Sequence, residues 1–187
     1  MSKSDVFNQQ TQLIVRPVLR QLVIDTLEAA PDYFYTIPAS STGKYHPAYT
    51  LGNGGLVRHT KAAVKIAECL LSLEMYAALA KDSDLIYAAL ILHDSVKKGM
   101  TGNQYTTVEH PLDAAKLLLD TAKKVNFADM DTVLVIADMI RSHMGQWNTN
   151  RDGEEVLPKP ESKAQKFVHQ CDYLASRKFI TVEELDG

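Results

Sequence analysis

Cysteine is scarce: Cys69 and Cys171 are the only two in 187 residues, and no CxxC spacing joins them. That excludes a disulfide framework; both thiols lie in apolar segments of helical pattern and are expected in the core of a protein in a reducing compartment. An excess of positive charge is also missing. Lysine and arginine total 20 against 23 acidic residues, a net charge of −3. No global basic field therefore advertises a strong nucleic-acid binder, although an enzyme for short or single-stranded polynucleotides stays open. No apolar run is long enough to span a bilayer, and the start, "MSKSDVFNQQ", has no apolar signal region. The expectation is a cytoplasmic protein without membrane attachment. Strand-like alternation, internal repeats and low-complexity tracts are absent as well, which leaves the helical period as the organising pattern.

That period is strong. With 45% hydrophobic and 23% charged residues the composition suits a globular domain. "LIVRPVLRQLVIDTLEAA" (13–30) predicts an amphipathic helix of about five turns, which Pro17 either kinks or starts. "PDYFYTIPASSTGKYHPAYTLGNGG" (31–55) reads as a long loop of the kind that is functional or disordered. Four further helices are predicted over 56–73, 83–98 (Ser83 as N-cap), 107–125 and 129–145, the last stopped by Gly145. A polar loop with Pro158 and Pro160 precedes a final helix over 161–179. The expected fold is all-α, a single-domain helical bundle of about six helices. Residues 1–54 supply a helix and a long loop packing on a core unit of 55–187.

Six histidines are present. Four lie beside helix ends on different helices: His59 one turn after "GNGGL", His93 closing "YAALILHD", His110 opening "EHPLDAAKLL", and His143 ending "IADMIRSHMG". Asp94 follows His93 directly, and Asp172 lies mid-helix in "VHQCDYLA". Burying an imidazole or a carboxylate without a partner costs several kcal/mol, so something must compensate. Singly, each histidine is more often a core or cap residue than a ligand, and Asp172 could pair with Arg177 or Lys178. As a set they match the imidazole and carboxylate ligands that facing helices gather in a bundle. Such donors suit Mn, Fe, Co, Ni or Zn. Six side chains suit two ions sharing Asp94 as a bridge, able to polarise a phosphoryl oxygen for in-line displacement. His46 and His169 read as core or cap residues in this pattern.

"KYHPAYTLGNGGLVRHT", "LILHDSVKKG", "VEHPLDAAKLL", "IRSHMGQW" and "HQCDYLASR" together resemble, in order and helical context, the HD-domain phosphohydrolase superfamily. The likeness runs from Lys44 to Lys178. It implies the HD-type helical bundle over 55–187, with a metal held by His59, His93, Asp94 and Asp172. Members with two metals also use histidines at the positions of His110 and His143, which favours two divalent transition-metal ions. Within the superfamily the motifs look most like the HD domain of bacterial 3′→5′ exoribonucleases and their small relatives. The chain departs from these in having a helix and loop where they carry an OB-type domain, and in reading "HDSVKK" where the family often has "HDIGK". Lys97 still occupies the lysine position.

The expected activity is hydrolysis of a nucleotide-type phosphomonoester or phosphodiester by a metal-activated water, on a nucleotide or short oligonucleotide. Asp94 would orient the water, with Lys97 and Arg141 neutralising phosphoryl oxygens. Tyr45, His46 and Tyr49 in the 40–54 loop, and Trp147 beside His143, are candidates for contacting substrate. Exoribonuclease-like action on RNA is the nearest alternative. A di-iron oxygenase or a ligand sensor on the same scaffold are rivals, a purely structural bundle is ranked last, and a homodimer is left open.

Overall fold

The computed structural model describes residues 2–40, 43 and 46–180. Eight α-helices lie within them: α1 (Asn8–Gln12), α2 (Pro17–Ala29), α3 (Gly55–Leu71), α4 (Ala77–Ala80), α5 (Ser83–Leu92), α6 (His110–Lys124), α7 (Met130–Arg141) and α8 (Lys163–Ala175). No strand occurs among the described residues beyond one isolated bridge, Thr149 with Glu155. The six long helices are those the sequence period predicts. α1 and α4 are single turns, too short to display a 3.6-residue repeat. No described helix is long and apolar enough to cross a membrane.

Helix α5 is the axis of the bundle. Eight of its ten residues are buried, Ile86 through Leu92 continuously. A helix apolar on every side has no solvent face and must be covered all round. The cover comes from α7, α3, α2 and α8. The N-terminal residues join this same core through Phe7, Ile14, Leu19, Leu22 and Phe34.

Local chemistry sets the helix ends. Pro17 starts α2 rather than kinking it, because its missing N–H is harmless in the first turn. The residues ahead of it are instead tied to α5: Asp84 accepts from the backbone N–H of Val15 at 2.7 Å and of Arg16 at 2.9 Å. The 31–55 segment contains two short 3₁₀ turns, Asp32–Tyr35 and Ala48–Thr50. The second presses on the start of α3, where a Cβ on Gly55 would lie 2.0 Å from the Thr50 carbonyl oxygen. Only glycine fits that approach.

Three further expectations change. Ser83 is the first residue of α5, not its cap, which is Asp82. Cys171 is buried as expected, whereas Cys69 is exposed, on the outer side of α3. Val96, in place of the family's glycine, is fully buried. The turn after α5 tolerates it because the valine side chain enters the core. Tyr33 braces that turn, its hydroxyl accepting from Lys98 N–H at 2.9 Å and donating to the Gly99 carbonyl at 2.8 Å.

Candidate metal centre and its pocket

The C-terminal end of α5, the N-terminal end of α6, the turn after α7, the second turn of α3 and the third turn of α8 meet at one end of the bundle. They deliver His93 and Asp94, His110, His143, His59 and Asp172 respectively. Five of these six side chains are at most 2% exposed; Asp172 is 18% exposed.

Three imidazoles are oriented in one way. Nδ1 of His93 donates to the Leu90 carbonyl, of His110 to that of Thr107 and of His143 to that of Ile140, each at 2.7 Å. A carbonyl can only accept, so each Nδ1 carries the hydrogen and each Nε2 is left as a lone pair in the neutral ring. Those lone pairs converge. Nε2 of His110 and Nε2 of His143 are 3.3 Å apart. His93 Nε2 faces Asp94 Oδ2 at 3.4 Å and Asp172 Oδ1 at 3.5 Å. His59 Nε2 lies 2.8 Å from Asp172 Oδ1. Fixing one ring nitrogen on a carbonyl so that the other is free to ligate is the usual arrangement around a metal.

Asp94 divides this space. Its Oδ2 faces His93, His59 at 3.9 Å and Lys97 Nζ at 2.5 Å. Its Oδ1 faces His110 at 3.1 Å and His143 at 3.8 Å. Buried though they are, Asp94 Oδ1 and His93 Nε2 make no hydrogen bond among the described residues. A gathering of acceptors needs positive charge to hold it together. Protons alone would place it on one ring. Burial disfavours the His93 imidazolium, but Asp94 and Asp172 outweigh it and its pKa is pushed up to about 10. Burial, with His93 beside it, pushes His143 down to about 3. Both carboxylates stay well below the usual range against the cost of burial, Asp94 through Lys97 and His93, Asp172 through the hydrogen bond from His59 and the nearby His93. The donors His59, His93 and Asp172, and also His93, Asp94 and His143, lie close enough together to hold a metal ion.

A pocket of about 170 Å³ opens onto these groups. One wall holds His46 and Lys97; the other holds Met144, Trp147, Tyr173, Ser176 and Arg177. His46 stacks edge-on toward His59, ring centroids 5.7 Å apart, and its Nδ1 is buried without a hydrogen bond among the described residues. Burial, then the neighbouring His59 and Lys97, push its pKa down to about 4, so the ring is neutral near pH 7.

Two of the expected contacts fall elsewhere. Arg141 pairs with Asp138 at 2.6 Å on the outer side of α7 and does not line the pocket. Tyr49 is a brace, its hydroxyl donating to the Ala175 carbonyl at 2.9 Å and its own carbonyl accepting from Arg58. Tyr45 lies outside the described residues. Arg177 and Tyr173 line the pocket without having been singled out as site residues. Tyr173 directly follows Asp172 on α8, whereas Arg177 lies just past the end of that helix and reaches the pocket only in the folded chain. His169, read as a core or cap residue, is a brace: it donates from Nδ1 to the His143 carbonyl at 2.6 Å. Its ring lies over Gly145, where a Cβ would be 2.3 Å away and φ is +60°.

A helical bundle with histidine and aspartate gathered at helix ends in this order is the plan of one family, and the comparisons agree. The HD domain family model matches residues 56–177. The chain belongs to the HD domain family, and thereby to a superfamily of metal-dependent phosphohydrolases and nucleases. It is similar to the 3′-5′ exoribonuclease YhaM of Shouchella clausii (strain KSM-K16), 27% identical over 182 residues, or 92% of this chain and 52% of that protein. The chain thus spans about half the length of this curated relative. No solved structure is significantly similar to it.

Proposed function

We propose that the chain is a two-metal phosphohydrolase that cleaves a phosphoester of a nucleotide or short oligonucleotide. The observation that carries this is the division of Asp94: one carboxylate oxygen turned to His59 and His93, the other to His110 and His143. A carboxylate set between two pairs of imidazole Nε2 atoms would suit a bridge between two cations. His59, His93, Asp94 and Asp172 would hold one ion; His110, His143 and Asp94 the other. Imidazole with carboxylate suits Mn, Fe, Co, Ni or Zn better than Mg or Ca. Bound there, such ions supply Lewis acidity and an acidified water for attack at phosphorus.

The chain's own groups do the rest. Asp94, held ionised, accepts a hydrogen bond from the attacking water and so orients it. Lys97, 2.5 Å from Asp94, places an ammonium beside the charge that develops on the phosphoryl oxygens. Neutral His46 borders the pocket as a hydrogen-bonding wall. The exoribonuclease name of the longer relative, about half of which the chain spans, supports a nucleic-acid end as substrate. The absence of a basic surplus favours short substrates over long ones.

The test is a hydrolysis panel with Mn²⁺-loaded protein: nucleoside mono- and triphosphates, cyclic and linear dinucleotides, short RNA and DNA. Turnover of at least one, lowered about 100-fold or more in Asp94→Ala, is expected. Metal bound with no turnover of any of them would move the reading to a sensor or an oxygenase on the same scaffold.

A further inference from the structure

The pocket beside the candidate metal centre is small, about 170 Å³, and open at its mouth. Pockets that enclose small-molecule ligands begin at about 300 Å³. A ligand larger than the group held at the metal donors therefore extends to the rim.

The rim is made for such a group. Trp147 is 47% exposed, an indole left half in water at the edge of a polar site. It is stacked on Tyr173, with centroids 5.6 Å apart and planes within 14°, so its plane is fixed. Arg177 lies over the same tyrosine ring, its guanidinium carbon 4.3 Å from the centroid. It spends Nε and Nη2 on the Ser176 hydroxyl at 3.2 and 2.8 Å and makes no ion pair among the described residues. Lys97, by contrast, is committed to Asp94. Arg177 follows the end of α8, five residues after Asp172 in the chain, and lines the pocket. Its remaining N–H donors are left for an anion there.

We propose that Trp147, Tyr173 and Arg177 form a subsite for the nucleotide unit adjoining the cleaved phosphoester. Trp147 stacks on its base, Arg177 takes its phosphate, and Tyr173 holds the two in place. The subsite rests on the phosphohydrolase reading and narrows it: a strand end with a second phosphate is preferred over a lone mononucleotide. Stacking tolerates any base, so the preference is for length and not for sequence.

Trp147 is the chain's only tryptophan, so indole fluorescence reports on this subsite alone. The dinucleotide pApA with a hydrolysis-resistant phosphorothioate linkage is titrated against Mn²⁺-loaded protein, with AMP as comparator. Quenching by pApA with affinity at least about tenfold above AMP is expected. Arg177→Gln should bring pApA down to the affinity of AMP, and Arg177→Lys should recover part of the margin. Equal affinities in the wild type, a margin that survives Arg177→Gln, or no quenching by either ligand would each overturn the subsite. Wild-type hydrolysis of bis(4-nitrophenyl) phosphate, which carries no nucleotide unit, reports on the metal centre separately. Its absence would count against the phosphohydrolase reading while the titration still decides the subsite.

Discussion

Asp94 faces more side chains of the site than any other residue, and these neighbours explain why it can be buried. Each of its oxygens is turned to a different pair of histidines, and Lys97 closes the remaining side. With protons as the only cations, His93 bears the charge, since its pKa of about 10 keeps it protonated at neutral pH. A metal taken by His93 Nε2 must displace that proton. Calorimetric titration of chelator-treated protein with Mn²⁺, in buffers of different ionisation enthalpy, should therefore show release of about one proton from this ring at pH 8. The release should shrink as pH rises through 10, where the ring is already neutral. No release at pH 8 would contradict this assignment. The six donors were legible in the sequence because imidazole and carboxylate beside helix ends are chemically distinctive. Arg141 and Arg177 were not separable there: each stands near a site residue in the chain, and only the fold sends one outward and the other to the pocket.

At the scale of elements, the site depends on where helices begin and stop. α5 ends at Leu92, so that His93 and Asp94 stand at its tip, and α6 begins at His110. The start of α3 is fixed by the contact of Gly55 with the turn at Thr50. Gly55→Ala should cost at least the about 1–3 kcal/mol of an overpacked site. At about 2–4 °C per kcal/mol, a thermal melt would register this clearly. Weaker metal retention should accompany it, because His59 lies one turn further on. An unchanged melting temperature would mean that the turn yields freely. Sequence periodicity located the six long helices, since each shows an apolar stripe over three turns or more. It extended α2 backward to Leu13 because 13–16 continue the apolar pattern, yet Val15 and Arg16 give their N–H groups to Asp84 instead. A long-range bond of that kind leaves no mark in local spacing.

For the molecule as a whole, a buried and largely apolar helix sets His93 and Asp94 at one end of the bundle, where α3, α6, the turn after α7 and α8 each bring one further imidazole or carboxylate. The six donors are 113 positions apart in the chain at their widest, His59 to Asp172, so they converge only once the bundle has closed. The all-α class was legible from the one dominant period, and the six converging side chains from their letters. Of the pocket wall, His46, Lys97 and Trp147 were legible; Tyr173 and Arg177 were not, because only the stacking of Trp147 on Tyr173 across a loop brings them together. The measurement that bears most directly on the two-metal centre is metal stoichiometry by mass spectrometry, after reloading with Mn²⁺ and gel filtration. About two ions per chain in the wild type, about one in His110→Ala and none in Asp94→Ala is the expected result. A single ion in the wild type that His110→Ala leaves in place would contradict it.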